Sequence, residues 1–296
     1  MLKVTIAGIT LRVDIKSARQ NAESFPGGLR LIADYERFLA ADSDLPAINF
    51  VFSDLTVPPG SDYKYRFLSA GLWNLYYNDR NDFRIEFKKG ADGVPLAFID
   101  ADLNKRTCTI IYTEDGRKDT EKRLLPFVYP VDEVLFINLL PSFNGILVHA
   151  CGIDDSEKGL IFTGVSGAGK STTARLWSDE PGIKILSDDR IIIREVEDTF
   201  YAYGTPWHGE VEVCSQGKVK IEKLFFLERS DRNYAKPLSP VEAATRMFVR
   251  CFPTFWDKEG MEFTLSFIDR VVNNVLCYEL GFVPDKSAIS FVRGLE

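Results

Sequence analysis

The run Gly164-Val165-Ser166-Gly167-Ala168-Gly169-Lys170-Ser171 fills every fixed position of the pattern G-x-x-x-x-G-K-[ST]. Its flanks restrict the fold further. Residues 159–163 are a short apolar run that reads as a buried strand entering the loop, and residues 171–177 read as a helix leaving it. Glycines at 164, 167 and 169 permit positive φ and bring backbone N–H groups close to an anion, while the helix N-terminus adds partial positive charge beneath them. Lys170 can reach the β- and γ-phosphates, and the Ser171 hydroxyl can ligate Mg²⁺. The expected phosphate cradle is therefore Gly164, Ser166, Gly167, Ala168, Gly169, Lys170, Ser171 and Thr172. It implies a nucleoside triphosphate, ATP or equally GTP, because such a loop reads phosphates and not the base.

A length of 296 residues allows one large domain or two moderate ones. A net charge of −7 argues against a nucleic-acid partner, whose phosphate backbone normally calls for a basic face. The most apolar stretch, residues 134–153, is broken by Asn138, Pro141, Asn144 and His149, so no membrane span is expected. Cys108, Cys151, Cys214, Cys251 and Cys277 are widely spaced and lack any C-x-x-C pair, which suits reduced thiols in a cytoplasmic protein.

Residues 1–125 carry short alternating segments, among them 48–52, 83–87 and 107–112, and read as a β-rich α+β domain of unassigned role. Turns are expected at Asp92-Gly93 and Asp115-Gly116, and the charged tract 114–123 reads as a surface crossing between domains. From residue 126 to the end the pattern changes: a helix over 132–140 ended by Pro141, a strand over 146–153, a turn, and then the strand that enters the loop.

Three segments are expected to converge on Lys170. A hairpin centred on Ser156 sets His149 opposite Thr163, at the mouth of the loop. After the helix, residues 183–187 return as a strand into Asp188-Asp189. A crossover brings that strand back parallel to the first, placing both carboxylates beside Lys170, one suited to a metal and the other to a different task. A second hairpin, centred between Glu197 and Asp198, then returns Gly204-Thr205-Pro206-Trp207-His208-Gly209-Glu210 against Asp189. The chain's two histidines, His149 and His208, both fall in these segments. Arg246 and Arg250, four apart on an expected helix, read as a solvated face in preference to phosphate ligands.

Leu147-Val148-His149, the phosphate loop and Leu186-Ser187-Asp188-Asp189 together resemble the catalytic core of HPr kinase/phosphorylase and its relatives, a superfamily that includes nucleotide-dependent phosphoenolpyruvate carboxykinases. The resemblance covers residues 140–210. It implies an α/β P-loop kinase core with a mixed β-sheet, in which Lys170 and Ser171 hold the phosphates and Mg²⁺. It further implies that Asp188 receives the proton of an attacking hydroxyl, that Asp189 helps hold the metal, and that His149 lies close to the transferred group. Glu210 is a further candidate metal ligand from the returning segment. HPr kinases carry a glycine-rich signature after the double aspartate, and here Gly204-Thr205-Pro206-Trp207-His208-Gly209-Glu210 stands instead, as in HPr kinase-like proteins whose substrates vary. Family relatives are often oligomers, which extends a homo-oligomer to this chain as an expectation. ABC-transporter ATPases and protein kinases are set aside, because the chain lacks a Leu-Ser-Gly-Gly-Gln motif and the His-Arg-Asp and Asp-Phe-Gly elements.

The expected activity is Mg²⁺-dependent transfer of the γ-phosphoryl group of ATP to a hydroxyl of a protein, peptide or small molecule. A nucleotide-gated binding module with weak hydrolysis, and carboxykinase-like chemistry on a small keto acid, are the alternatives.

Overall fold

The computed structural model describes residues 1–14, 33–40, 47–53, 63–69, 71–78, 80, 82–90, 93–118 and 126–295. Asp92 and residues 119–123, on which two sequence expectations fall, lie outside them. The chain packs as two units, Met1–Leu139 and Leu140–Glu296. No described helix is long and apolar enough to cross a membrane, and all five cysteines are free and buried.

The first unit is built on one mixed sheet of β1 (Leu2–Ile6), β2 (Ile9–Val13), β3 (Ala47–Ser53), β4 (Lys64–Leu68), β5 (Trp73–Tyr77), β6 (Phe83–Lys88), β7 (Pro95–Asp102) and β8 (Thr107–Tyr112), in the order β1-β2-β3-β8-β7-β6-β5-β4. Alternation along each strand separates two faces. One carries the cross-strand row Leu75, Ile85, Ile99, Ile110 and Phe52, all buried. The other carries Tyr76, Arg84, Asp100 and Thr109. Helix α1 spans Ala33–Glu36. Where a turn is expected at Asp115-Gly116, a single helical turn forms instead, α2 (Glu114–Lys118). The Thr113 hydroxyl accepts from the Gly116 N–H at 3.0 Å, an N-terminal cap that favours the helical form.

Helix α3 (Val131–Leu139) belongs to this first unit, so the boundary falls at residues 139–140 and not near residue 125. The cause is long-range. Tyr35 donates to Asp132 Oδ2 at 2.5 Å and Tyr77 donates to Asn138 Oδ1 at 2.6 Å, tying the buried polar positions of α3 to α1 and β5. The helix stops at Leu139, and Pro141 lies in the 3₁₀ turn Leu140–Phe143 that follows.

The second unit contains β9 (Gly145–Asp155), β10 (Lys158–Thr163), α4 (Lys170–Ser178), β11 (Ile183–Ser187), β12 (Arg190–Val196), β13 (Thr199–Tyr203), β14 (Lys218–Arg229), β15 (Tyr234–Pro237), α5 (Pro240–Phe248), α6 (Lys258–Asn274), β16 (Leu276–Phe282) and α7 (Ser287–Arg293). Its mixed sheet runs β10-β9-β12-β13-β14-β16-β15, with β11 also on β9 and β10 also parallel to β14. This is an α/β fold with helices on both faces of the sheet. Strand β10 is buried from Gly159 on, with Leu160, Ile161 and Phe162 in succession, because both its faces are covered. Phe162 points with Cys151, Phe225 and Tyr278 toward Trp177 of α4 and Ile289 of α7. Ile161 points with Val148, Leu224 and Phe226 toward Met247 of α5 and Phe267 of α6. Trp177 is fully buried with its ring centroid 5.3 Å from that of Phe162, so a truncation to alanine there would cost about 3–5 kcal/mol and loosen α4.

Two turn expectations come out differently. The β12/β13 hairpin forms as expected, pairing Val196 with Thr199 across Glu197 and Asp198, both at positive φ. The β9/β10 hairpin is displaced by one residue. Its turn has two central residues, Ser156 (φ 55) and Glu157 (φ 72), so Thr163 pairs with Ala150 and not with His149. His149 pairs with Arg190 of β12 instead. Strand β11 does run parallel to β10, but β9 lies between them, antiparallel to both.

Candidate active site

The chain from β10 turns into the loop at Gly164 and enters α4 at Lys170, with Gly167 at φ 75 and Gly169 at φ 115. Gly169 is the N-cap, and no side chain caps this helix end, so the amides of its first turn face the cleft without an intrahelical acceptor. Lys170 is only 7% exposed, and its Nζ donates to the Gly164 carbonyl at 3.1 Å, back onto its own loop. Burial holds its pKa below the ordinary lysine value, with Arg250 and Arg190 adding to the effect and Asp189 opposing it.

A cleft of ≈ 280 Å³ opens over the loop, lined by His149, Ser166, Gly167, Gly169, Lys170, Ser171, Thr172, Asp189 and Glu210 of the expected residues, together with Arg175 and Gly209. His149 Nε2 lies 2.9 Å from Asp189 Oδ1. Arg190 Nη1 bonds the second oxygen of the same carboxylate, and its guanidinium lies over the Phe252 ring at 4.7 Å. Burial pushes the Asp189 carboxyl up, yet the His149 hydrogen bond and the Arg190 charge outweigh it, and the net shift is downward. Asp189 is therefore a carboxylate at neutral pH, held between two donors at the edge of the cleft.

Asp188 does something else. It is 1% exposed and does not line the cleft. Its two oxygens accept from the Gly209 N–H at 2.7 Å and the Val211 N–H at 2.9 Å. Ser187 Oγ donates to the Trp207 carbonyl at 2.7 Å, and Thr205 Oγ1 donates to the Arg190 carbonyl at 2.6 Å. Asp188 thus anchors the returning segment that presents Gly209 and Glu210 to the cleft. Glu210 is exposed at the rim, 3.9 Å from Arg175. His208 does not reach the cleft; its Nδ1 lies 3.1 Å from the Gly209 carbonyl. Gly164 and Ala168 shape the loop from beneath: Gly164 accepts from Lys170, and the Ala168 N–H donates to Val165 at 3.1 Å.

The two arginines of the α5 region separate. Arg246 is held by Glu279 at 2.6 Å and by Glu228. Arg250 lies past the end of α5, where the main chain leaves the helix and pairs with β9: the His149 N–H donates to the Arg250 carbonyl at 2.8 Å, and the Phe252 N–H donates to Leu147. The four-residue spacing that suggests one helical face does not survive the helix end at Phe248, and this carries Arg250 to the His149 edge.

Comparison with known proteins adds little to this geometry. The sequence matches no protein-family profile and no curated protein. Among solved structures, the chain is similar to the Hpr(Ser) kinase/phosphatase from Coxiella burnetii at 10% identity and a TM-score of 0.30, over 50% of this chain and 90% of that one. This is a distant structural likeness only.

Proposed function

We propose that the second unit is a phosphotransferase that moves the γ-phosphoryl group of ATP to a hydroxyl. The observation that carries this reading is the convergence of a buried lysine, a histidine-bound carboxylate and the unsatisfied amides of a helix N-terminus on one cleft. Backbone amides of residues 166, 167 and 169–172 would take the phosphates and Lys170 would leave its own loop carbonyls, Gly164 at 3.1 Å and Val165 at 3.5 Å, to follow them. Among the described residues no three histidine, cysteine or carboxylate side chains converge as a metal cage. Ser171 and the triphosphate oxygens suit Mg²⁺, which usually keeps several waters and one or two protein ligands, with Glu210 within the same cleft. Bound there, the ion would neutralise charge on the β- and γ-phosphates.

The acceptor oxygen attacks the γ-phosphorus as the bond to the bridging oxygen breaks, ADP departs, and the hydroxyl proton passes to a carboxylate. The sequence resemblance points to Asp188 for that proton. The geometry favours Asp189, because both oxygens of Asp188 are spent on backbone amides while Asp189 faces the cleft. His149 orients Asp189, and with a depressed pKa the carboxylate accepts the proton late, in a loose transition state. The test is incubation of the full chain with γ-labelled ATP, Mg²⁺ and a host-cell extract. A labelled acceptor is expected with the unaltered protein and none with Lys170→Ala or Asp189→Asn. No labelled acceptor at all, or labelling that survives both substitutions, would overturn the reading.

A further inference from the structure

The cleft accounts for the phosphate end of a nucleotide, and the sheet topology says where the other end must go. Strand β10 has β9 on one side and β14 on the other. His149 on β9 and Asp189 mark the side on which the terminal phosphate reacts, so the phosphate chain crosses the loop and the nucleoside leaves toward β14. The last residue of β14 is Arg229. Its Nη2 lies 3.1 Å from the position that a Cβ on Gly167 would take, so the guanidinium rests against the loop in space that a side chain there would contest. The strand end is fixed in place: Arg229 pairs with Phe282 of β16, and the Phe282 ring comes within 2.9 Å of the corresponding position on Gly169. Arg229 itself is exposed and forms no ion pair with any described residue, while the neighbouring Glu228 is engaged by Arg246.

A guanidinium is planar, always charged and weakly hydrated, and it stacks on aromatic faces. We propose that Arg229 is the platform on which the base of the bound nucleotide stacks, at the β14 side of the phosphate loop. This rests on residues 164–171 binding phosphate. It makes Arg229 a residue that distinguishes a nucleotide from a bare polyphosphate, something the loop alone does not do.

Calorimetric titration of the full chain with Mg-ATP and with Mg-tripolyphosphate tests it. In Arg229→Ala the Kd for ATP is expected to rise about five- to tenfold, the size of a partly desolvated cation–π contact. The Kd for tripolyphosphate should stay within about twofold. Arg229→Lys should recover only part of the ATP affinity, because the ammonium has no plane to stack. Equal weakening of both ligands would assign Arg229 to the phosphates, and no change in either would make it an ordinary surface arginine; each overturns the proposal while leaving the phosphate loop intact. Failure of the unaltered chain to bind either ligand would remove the phosphate-loop reading itself and this inference with it.

Discussion

Both units bury charge, and they use it in opposite ways. On the polar face of the first sheet, Arg84 makes a two-bond contact with Asp100 at 2.5 and 2.6 Å, and Glu86 accepts from Asn74 and Tyr76 at 2.7 and 2.6 Å. Arg84 and Glu86 are each answered by a side chain one strand away. In the second unit Lys170 is as deeply buried as Arg84, yet it donates to the Gly164 and Val165 carbonyls of its own loop, and the nearby carboxylate of Asp189 is held by His149 and Arg190 at the lip of a cleft. A buried charge bonded only to neutral carbonyls points to a ligand, whereas a buried charge met by a fixed countercharge points to a scaffold.

The sharpest way to break this contrast is to neutralise one group in each unit. Asp189→Asn should lower the rate of phosphoryl transfer by about 10²–10⁴-fold with nucleotide affinity largely retained, measured in single-turnover transfer assays. Arg84→Ala should do the reverse, lowering the unfolding free energy of its unit by about 1–3 kcal/mol in denaturant titrations because the half-buried Asp100 loses both charge-assisted bonds, with no change in nucleotide affinity. If either substitution moved the other observable as much as its own, the division between ligand-facing and self-answered charge would fail.

Asp188 refines the comparison from within the second unit, because it is a buried carboxylate of the scaffold type. Asp188→Ala strands the Gly209 and Val211 N–H groups and should cost about 1–3 kcal/mol of stability. Amide exchange around residues 209–211 should accelerate, a readout that a purely chemical role would not move. The smallest expected effect is a pH dependence. Burial keeps the Lys170 pKa under its ordinary 10.5, so in the window just below that value the unfolded chain holds a proton that the folded chain has shed. Stability should therefore rise with pH through that window, and Lys170→Met should remove this slope.

The sequence carries the cleft better than it carries the frame around it. The glycine loop of residues 164–169, its strand and its helix are legible because an apolar strand, closely spaced glycines and a helix follow one another without a break. The hairpin at Glu197 and Asp198 is legible because its two-residue turn leaves the alternation on both sides unbroken. Ser156 and Glu157 adopt left-handed conformations without the Asn or Gly that usually announces such a turn, so the centre of that hairpin reads half a residue too early and His149 receives the wrong partner. The division of labour between Asp188 and Asp189 is hidden for another reason. Strand β11 ends at Ser187, and beyond it the amides of residues 209 and 211 decide which carboxylate turns inward, a contact more than twenty residues away in the chain. The allegiance of α3 rests in the same way on Tyr35 and Tyr77, which no local pattern links to Asp132 and Asn138.

A crystal structure of the full chain with Mg²⁺ and a non-hydrolysable ATP analogue would show which carboxylate meets the nucleotide. The terminal phosphate is expected within hydrogen-bonding reach of Lys170, with Asp189 and His149 facing it and Asp188 still bound to the amides of Gly209 and Val211. A terminal phosphate lying elsewhere, or an Asp188 that leaves those amides to face it while Asp189 turns away, would overturn the assignment of Lys170 and Asp189 to the reacting end of the nucleotide.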